Sequence, residues 1–325
     1  MNERETVLIT GLLGQDGSYL AEILLAKGHH VMGTSHRGRS SLKVGSTAIE
    51  VIGLDLADGE AIRAAISQYR PDQIYNVAAR ASSTQLFDDV VATTKINGLA
   101  VVHMLEAIRT ESAETRFCQA SSSEVFAKSS VSPQNELTPL RPRNAYGAAK
   151  VFAQNMVEAY RDRYGIFACT AILFNHESPR RGLNYVTRKI TAAAARIKAG
   201  LDRSLPLGNM EGRRDWSFAG DLARGMSLML EQPDPGDYVL ASGETHSVRD
   251  LCELAFGRLG LDYRDYVVAD PAQERLQEAV ELRGDASKAH ARLGWQPAVG
   301  FKELVYMMVD ADCEALSVSA RQQKN

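Results

Sequence analysis

A chain of 325 residues, 45% hydrophobic and 24% charged, is sized for one large domain or two lobes sharing a core, and its composition argues against disorder. Its 40 acidic residues against 37 lysines and arginines give a formal net charge of −3, which offers no basic footprint for a nucleic acid. No apolar run approaches the roughly 18 residues that span a bilayer, and the charged start MNERET lacks a secretory core, so a cytoplasmic protein without a membrane partner is expected.

The first half alternates β-branched runs with amphipathic ones: VLIT (strand), SYLAEILLAKG (helix), HHVMGTS (strand), DGEAIRAAISQY (helix) and QIYNVAA (strand). This rhythm predicts right-handed βαβ units and hence an α/β fold, a doubly wound parallel sheet with helices on both faces. GLAVVHMLEAIR, TRFCQAS, NAYGAAKVFAQNMVEAYRDRYG and FACTAILF continue it. Beyond Asn175 come arginine-rich turns, a helix over VTRKITAAAARIKAG and a tail of mixed short elements, ending in SVSARQQKN, polar enough to fray. The expected division is a dinucleotide-binding domain at 1–174 plus about 215–242, and a smaller C-terminal α/β substrate lobe at 175–214 plus 243–325. Cys118, Cys169, Cys252 and Cys313 lack metal-ligand spacing; buried, reduced thiols and no metal are expected.

GLLGQDG, between the first strand and the first helix, holds Gly11, Gly14 and Gly17. Glycines there let the backbone approach a pyrophosphate at a helix N-terminus, where open N–H groups and the helix dipole favour an anion. Gln15 and Asp16 share that turn and join the cofactor-binding set. An NAD site usually ends its second strand in an acid that binds the ribose 2′-hydroxyl; here the strand ends in TSHRGRSS. Arg37 and Arg39 stand in its place, which points to the 2′-phosphate of NADP. Asp55 of GLDLAD, after the third strand, is placed to meet the adenine, with Leu56 beside it.

Tyr146 and Lys150 sit four residues apart in YGAAK, on one face of a helix. Lowering a tyrosine pKa from ~10 by ~3 units takes about 4 kcal/mol, roughly what an ammonium 4 Å away supplies at an effective dielectric near 20. The pair can therefore make a phenolate-like base. SSSEVF, at the end of the strand before that helix, supplies Ser122 and Glu124, spaced to face one ligand.

This constellation resembles the extended short-chain dehydrogenase/reductase family, a Rossmann-fold family in which a Ser/Thr, Tyr and Lys trio oxidises a sugar hydroxyl beside a nicotinamide. The resemblance implies that Ser122 hydrogen-bonds the sugar 4-hydroxyl, Tyr146 takes its proton, and Lys150 holds the nicotinamide ribose while lowering the tyrosine pKa. A 4-epimerase needs no carboxylate at position 124. A 4,6-dehydratase does: once C4 is a ketone the C5 proton is acidic, and one carboxylate can remove it and then protonate the departing 6-hydroxyl.

ILFNHESPRRG, YVTRKIT, LGNMEGRRDW, ASGETHSVRD, GLLGQDGSYLAE and DQIYNVAA resemble the corresponding stretches of GDP-mannose 4,6-dehydratases over most of the chain. That resemblance implies NADP on the sheet and a GDP-sugar in the C-terminal lobe. Asn175 and Glu177 would line the sugar and phosphate, Lys189 would reach the guanine, and Arg214 would clamp the diphosphate, while Arg275 and Glu278 would close over the nucleotide. Arg180 and Arg181 stay open between loop surface and a contact with substrate or a neighbouring subunit, and His176 and His246 read as structural.

The departures cluster at the sugar. Ser122 replaces a usual threonine, Arg80-Ala81 a usual Gln-Ser, Phe126-Ala127 a usual Tyr-Gly, and Asn144-Ala145 a usual Ser-Pro. The segment after Arg39 is shorter than the family's interface loop; a homodimer or homotetramer is expected, with the case for four subunits weakened. The altered pocket leaves a related GDP-sugar epimerase or an NADPH-dependent GDP-4-keto-6-deoxyhexose reductase as alternatives, Glu124 opposing both. A non-catalytic dinucleotide-binding protein is opposed by the retained Tyr146 and Lys150.

Overall fold

A computed structural model describes residues 4–81, 89–270 and 281–322. Its first half runs β1 (Thr6–Thr10), α1 (Gln15–Ala26), β2 (His30–Ser35), β3 (Ser40–Val44), β4 (Thr47–Gly53), α2 (Gly59–Tyr69), β5 (Gln73–Asn76), α3 (Val90–Thr94), α4 (Ala100–Glu111), β6 (Arg116–Ala120), α5 (Ala145–Tyr164) and β7 (Ala168–Leu173). There follow β8 (Asn175–Glu177), α6 (Val186–Lys198), β9 (Leu205–Leu207), β10 (Arg213–Arg214), β11 (Trp216–Phe218), α7 (Ala219–Leu230), β12 (Tyr238–Leu240), β13 (His246–Ser247), α8 (Val248–Arg258), β14 (Val267–Ala269), α9 (Ser287–Leu293) and α10 (Phe301–Gln322).

Eight strands form one sheet in the order β12-β7-β6-β5-β1-β2-β4-β3. The central strands read as continuous apolar runs because helices cover both faces. On one face α1 and α7 pack over Val7, Ile9, Val31 and Tyr75. On the other, α2, α4 and α5 pack over Leu8, Ile74 and Phe117. Successive strands step outward in one direction from β1 to β2 and β4, and in the other from β5 to β6 and β7. The order therefore reverses between β1 and β5, and the crevice beyond their carboxyl ends is where such sheets bind ligands.

Two elements differ from the sequence reading. The sheet is not wholly parallel: β3 pairs antiparallel with β4 as an edge hairpin, with Ser40 opposite Val51 and Val44 opposite Thr47. The polar, half-exposed run SSLKV carries no strand signal of its own, and its pairing comes from the turn at Gly45, whose φ is +57°. The tail carries the expected short elements, β9 to β14 and α9 among them, but its last part forms the 22-residue α10 through most of the run expected to fray. Val305, Met308 and Val309 bury one face of it against α6 and α8, and Arg188–Asp312 and Arg258–Asp310 ion pairs fasten it. Packing of an amphipathic face stabilises a helix that local propensity leaves marginal.

Cys118, Cys169 and Cys252 are buried, all four cysteines are free, and Cys118 faces Cys169 across β6 and β7. Among the described residues, no helix is long and apolar enough to cross a membrane.

Candidate active site

The glycine turn lies at the reversal point of the sheet. Gly11 adopts φ +69°, a conformation that side chains disfavour, and a Cβ there would come within 2.9 Å of the Ala78 backbone beyond β5. A Cβ on Gly17 would lie 2.5 Å from Gly11 O, so the first turn of α1 can fold back on the loop only without one. Gly14 N donates to Gly11 O at 2.9 Å and occupies the position before α1 without a side-chain cap. The helix opens three residues earlier than its apolar pattern predicts, at Gln15. An uncapped 12-residue helix behind a glycine turn fits a dinucleotide pyrophosphate.

Gln15 and Asp16 are occupied within the protein. Gln15 donates to His176 O at 3.1 Å and accepts from Ser178 Oγ at 2.7 Å. Asp16 pairs with His176 Nε2 at 3.1 Å, and His176 Nδ1 lies 2.7 Å from Phe174 O. Burial by itself would raise the Asp16 carboxyl, but the charge and hydrogen bond of His176, helped by Arg181, hold it at about 2. Burial pulls His176 down, and the charge and hydrogen bond of Asp16 outweigh it, lifting the imidazole above its usual 6.5.

At the end of β2, Arg37 is exposed, with its backbone N–H on Ser35 Oγ at 3.1 Å, while Arg39 turns to Glu50 at 3.6 Å. Asp55 accepts from Ala57 N at 2.9 Å and is exposed. Leu56 points its side chain into the core between sheet and helices.

The chemistry-bearing side chains meet where β6 ends against the start of α5. Ser122 is extended (φ −155°) and its Oγ accepts from Glu124 N at 3.3 Å, opening a single tight turn over Ser123–Phe126. Arg143 donates to both Glu124 oxygens, at 3.0 and 3.3 Å, and Asn144 Nδ2 donates to Oε2 at 2.8 Å. Neither partner was assigned a site role from sequence. For Asn144 a signal was available, since Asn before a helical run is an N-cap candidate.

Lys150 is 2% exposed; its Nζ donates to Ala120 O at 2.7 Å and lies 5.7 Å from the Tyr146 ring centroid. Burial lowers its pKa to about 8, against the pull of the Asp16 charge. Tyr146 departs from the spacing argument. Burial raises its phenol well above 10, and the largest opposing influences are hydrogen bonding with Ser122 and the Arg181 charge, a part the spacing assigned to Lys150. Arg181 is itself held by Glu177 at 3.1 Å and stacks over Tyr185 at 3.5 Å, and the Tyr185 hydroxyl donates to Ala81 O at 2.9 Å. Arg180 instead pairs with Glu22 and covers the Tyr19 ring at 3.9 Å.

The expected GDP-sugar residues that are described sit on β8, α6 and β10. Glu177 is 2% exposed and also accepts from Thr187 Oγ1 at 2.7 Å, so its carboxylate is engaged internally. Asn175 lies in β8, paired with Trp216 of β11. Lys189 donates to Pro206 O at 2.8 Å, and Arg214 lies on β10 opposite His246. Arg275 and Glu278 lie outside the described residues.

The sequence model of the family described as GDP-mannose 4,6 dehydratase matches residues 8–308. GDP-mannose 4,6 dehydratase 2 of Arabidopsis thaliana is 44% identical over 327 residues, spanning 96% of this chain and 87% of its own. GDP-mannose 4,6 dehydratase of Homo sapiens is 39% identical over 345 residues, spanning 96% and 92% respectively. Among solved structures, UDP-glucose 4-epimerase of Thermus thermophilus in complex with NAD has a TM-score of 0.79 at 26% identity, covering 94% of this chain and 98% of its own.

Proposed function

Because the chain belongs to the GDP-mannose 4,6 dehydratase family, we propose that it converts GDP-D-mannose to GDP-4-keto-6-deoxy-D-mannose and water, with Ser122, Glu124, Tyr146 and Lys150 as its catalytic set. The observation that carries the assignment of residues is the gathering of Glu124, Ser122 and the Tyr146 helix at one end of β6, beside the glycine turn. A nicotinamide dinucleotide suits that turn, where the loop of Gly11, Gly14 and Gly17 and the uncapped start of α1 would hold its pyrophosphate; it would supply a hydride acceptor for C4 and donor for C6, with no net redox change. NADP rather than NAD is favoured by exposed Arg37 at the end of β2, where an acid would repel a 2′-phosphate.

Ser122 hydrogen-bonds the sugar 4-hydroxyl and Tyr146 takes its proton. The buried phenol is protonated at rest, so this step uses the ionised form that Ser122 and Arg181 stabilise. Lys150 holds the nicotinamide ribose. Glu124 removes the C5 proton, made acidic by the C4 ketone, and delivers a proton to the departing 6-hydroxyl; after hydride addition at C6, the enolate takes a proton from solvent at C5 while Tyr146 releases the one it took from O4, each assisted transfer contributing about 10²–10⁴-fold. The GDP is held by Asn175, Lys189, Arg214, Arg275 and Glu278, with Glu177 acting through Arg181, and the protein works in the cytoplasm as a dimer or tetramer.

Mass spectrometry after incubation with GDP-mannose in D₂O, without added reductant, tests this reading. A product lighter by one water and carrying deuterium at C5 is expected. Glu124→Gln is expected to keep NADP binding and C4 oxidation while losing dehydration; unchanged dehydration in that variant removes Glu124 from the mechanism. A reductase would instead consume NADPH in stoichiometric amount.

A further inference from the structure

Asn144 occupies the last extended position before α5 (φ −140°, ψ 170°), is 7% exposed, and divides its amide between two tasks. Its Oδ1 accepts from Gly147 N at 2.8 Å, capping the helix that carries Tyr146. Its Nδ2 donates to Glu124 Oε2 at 2.8 Å. We propose that Asn144 is a positioning residue that fixes the Glu124 carboxylate relative to Tyr146, an inference that rests on the dehydratase reading above.

Independent contacts bind the same two pieces of chain together. Arg141 N donates to Val125 O at 2.7 Å and Lys128 N to Arg141 O at 2.8 Å, so the turn bearing Glu124 is laced to the segment leading into α5. A Cβ on Gly147 would lie 2.8 Å from Glu124 O, so the first helical turn rests directly on the Glu124 backbone. Only the long Glu124 side chain then remains to be oriented, and Asn144 and Arg143 do this unequally. Oε2 receives both Asn144 Nδ2 and Arg143 Nε, whereas Oε1 receives Arg143 Nη2. A carboxylate offers about four acceptor sites. Oε1, the less occupied oxygen, keeps the greater spare acceptor capacity for the substrate proton, and the Asn144 bond fixes the plane of the carboxylate.

Few residues perform both tasks. Asparagine carries its acceptor and donor on separate atoms, so capping leaves the donor free. Aspartate caps as well but would set a second carboxylate against Glu124. Serine caps, yet its single hydroxyl oxygen is shorter in reach.

The experiment compares Asn144→Asp, Asn144→Ser and Glu124→Gln for melting temperature, NADP affinity, C4 oxidation in a single turnover and the pH profile of dehydration. For Asn144→Asp the cap survives, so the melting temperature and NADP affinity stay close to wild type. Its dehydration kcat falls about 10- to 100-fold with KM little changed, and the acid limb of the profile moves up by about one pH unit because two carboxylates share the site. Asn144→Ser lowers kcat without moving that limb, and it carries the test should the aspartate variant fold poorly. Combined with Glu124→Gln, neither substitution reduces dehydration further. Wild-type kcat and pH profile in a folded Asn144→Asp, or losses in both variants that only track the melting temperature, would reduce Asn144 to a helix cap and overturn the proposal. Unchanged dehydration in Glu124→Gln instead overturns the underlying reading.

Discussion

Asp16, in the first turn of α1, and His176, on β8, lie 160 residues apart in sequence and 3.1 Å apart in space. The pair joins the glycine turn to the strand that leaves the sheet after β7. An acid at a phosphate-facing helix N-terminus would repel a dinucleotide. Pairing with His176, whose imidazole is lifted above its usual 6.5 by the Asp16 charge and hydrogen bond, counters that repulsion from the side of the histidine.

Asp16→Asn is expected to bring His176 below its usual 6.5, because burial then acts without its counter-charge. The raised His176 contributes stability that is fully present below pH 6.5 and lost as pH rises through its folded value. The depressed Asp16 contributes stability present above 3.8 and lost as pH falls towards about 2. The loss in the variant is thus greatest between about pH 4 and 6.5, about 2 kcal/mol for a charge-assisted bond, and is smaller at pH 9 by the share that His176 gives up as it loses its proton. Histidine NMR titration with urea melts at both pH values measures it; an equal loss at pH 5 and 9 would count against the ion pair.

What the sequence disclosed was local. Gly11, Gly14 and Gly17, and Tyr146 with Lys150, announce themselves because a turn or one helical face imposes their spacing. Partners joined through the fold did not: Arg143 and Asn144 reach back 19 and 20 residues to Glu124, and Asp16 finds His176 across the crevice. Spacing also misjudged electrostatics. It credited Lys150 with acidifying Tyr146 but could not weigh burial, which dominates both groups. The β3–β4 hairpin and α10 were missed because pairing and packing, not residue propensity, form them.

Lys150→Met is expected to raise the melting temperature while abolishing turnover. Burial that takes Lys150 from 10.5 to about 8 costs the apo fold about 3 kcal/mol at pH 7. Leaving Ala120 O unpaired returns about 1–2 kcal/mol of that as a loss. The balance of about 1–2 kcal/mol corresponds to a rise of about 2–3 °C by calorimetry. The gain should shrink above pH 8, where the wild-type lysine sheds its proton. A lower melting temperature at pH 7 would mean that the ammonium is a structural group.

Tyr146→Phe removes only the hydroxyl proposed to exchange a proton with the sugar, so it should halt the reaction before any cofactor reduction. NADP binding is expected to stay near wild type, and the single-turnover oxidation rate to fall by about 10²–10⁴-fold. Stopped-flow absorbance of the reduced nicotinamide measures this directly. Glu124→Gln, by contrast, should still show the reduced cofactor. Identical traces for the two variants would contradict separate roles for phenol and carboxylate.

Arg37→Ala tests the cofactor preference. Arg37 is exposed at the end of β2, whereas Arg39 is drawn to Glu50, so a 2′-phosphate should depend on Arg37. A charge-assisted bond to phosphate contributes about 1.5–3 kcal/mol, so the Kd for NADP should rise about 10- to 100-fold. NAD, lacking that phosphate, should bind the variant as it binds the wild type. Fluorescence titration with both dinucleotides reads the ratio. Equal weakening of the two would place Arg37 on the shared part of the cofactor, and no weakening of either would leave the preference for NADP without its residue.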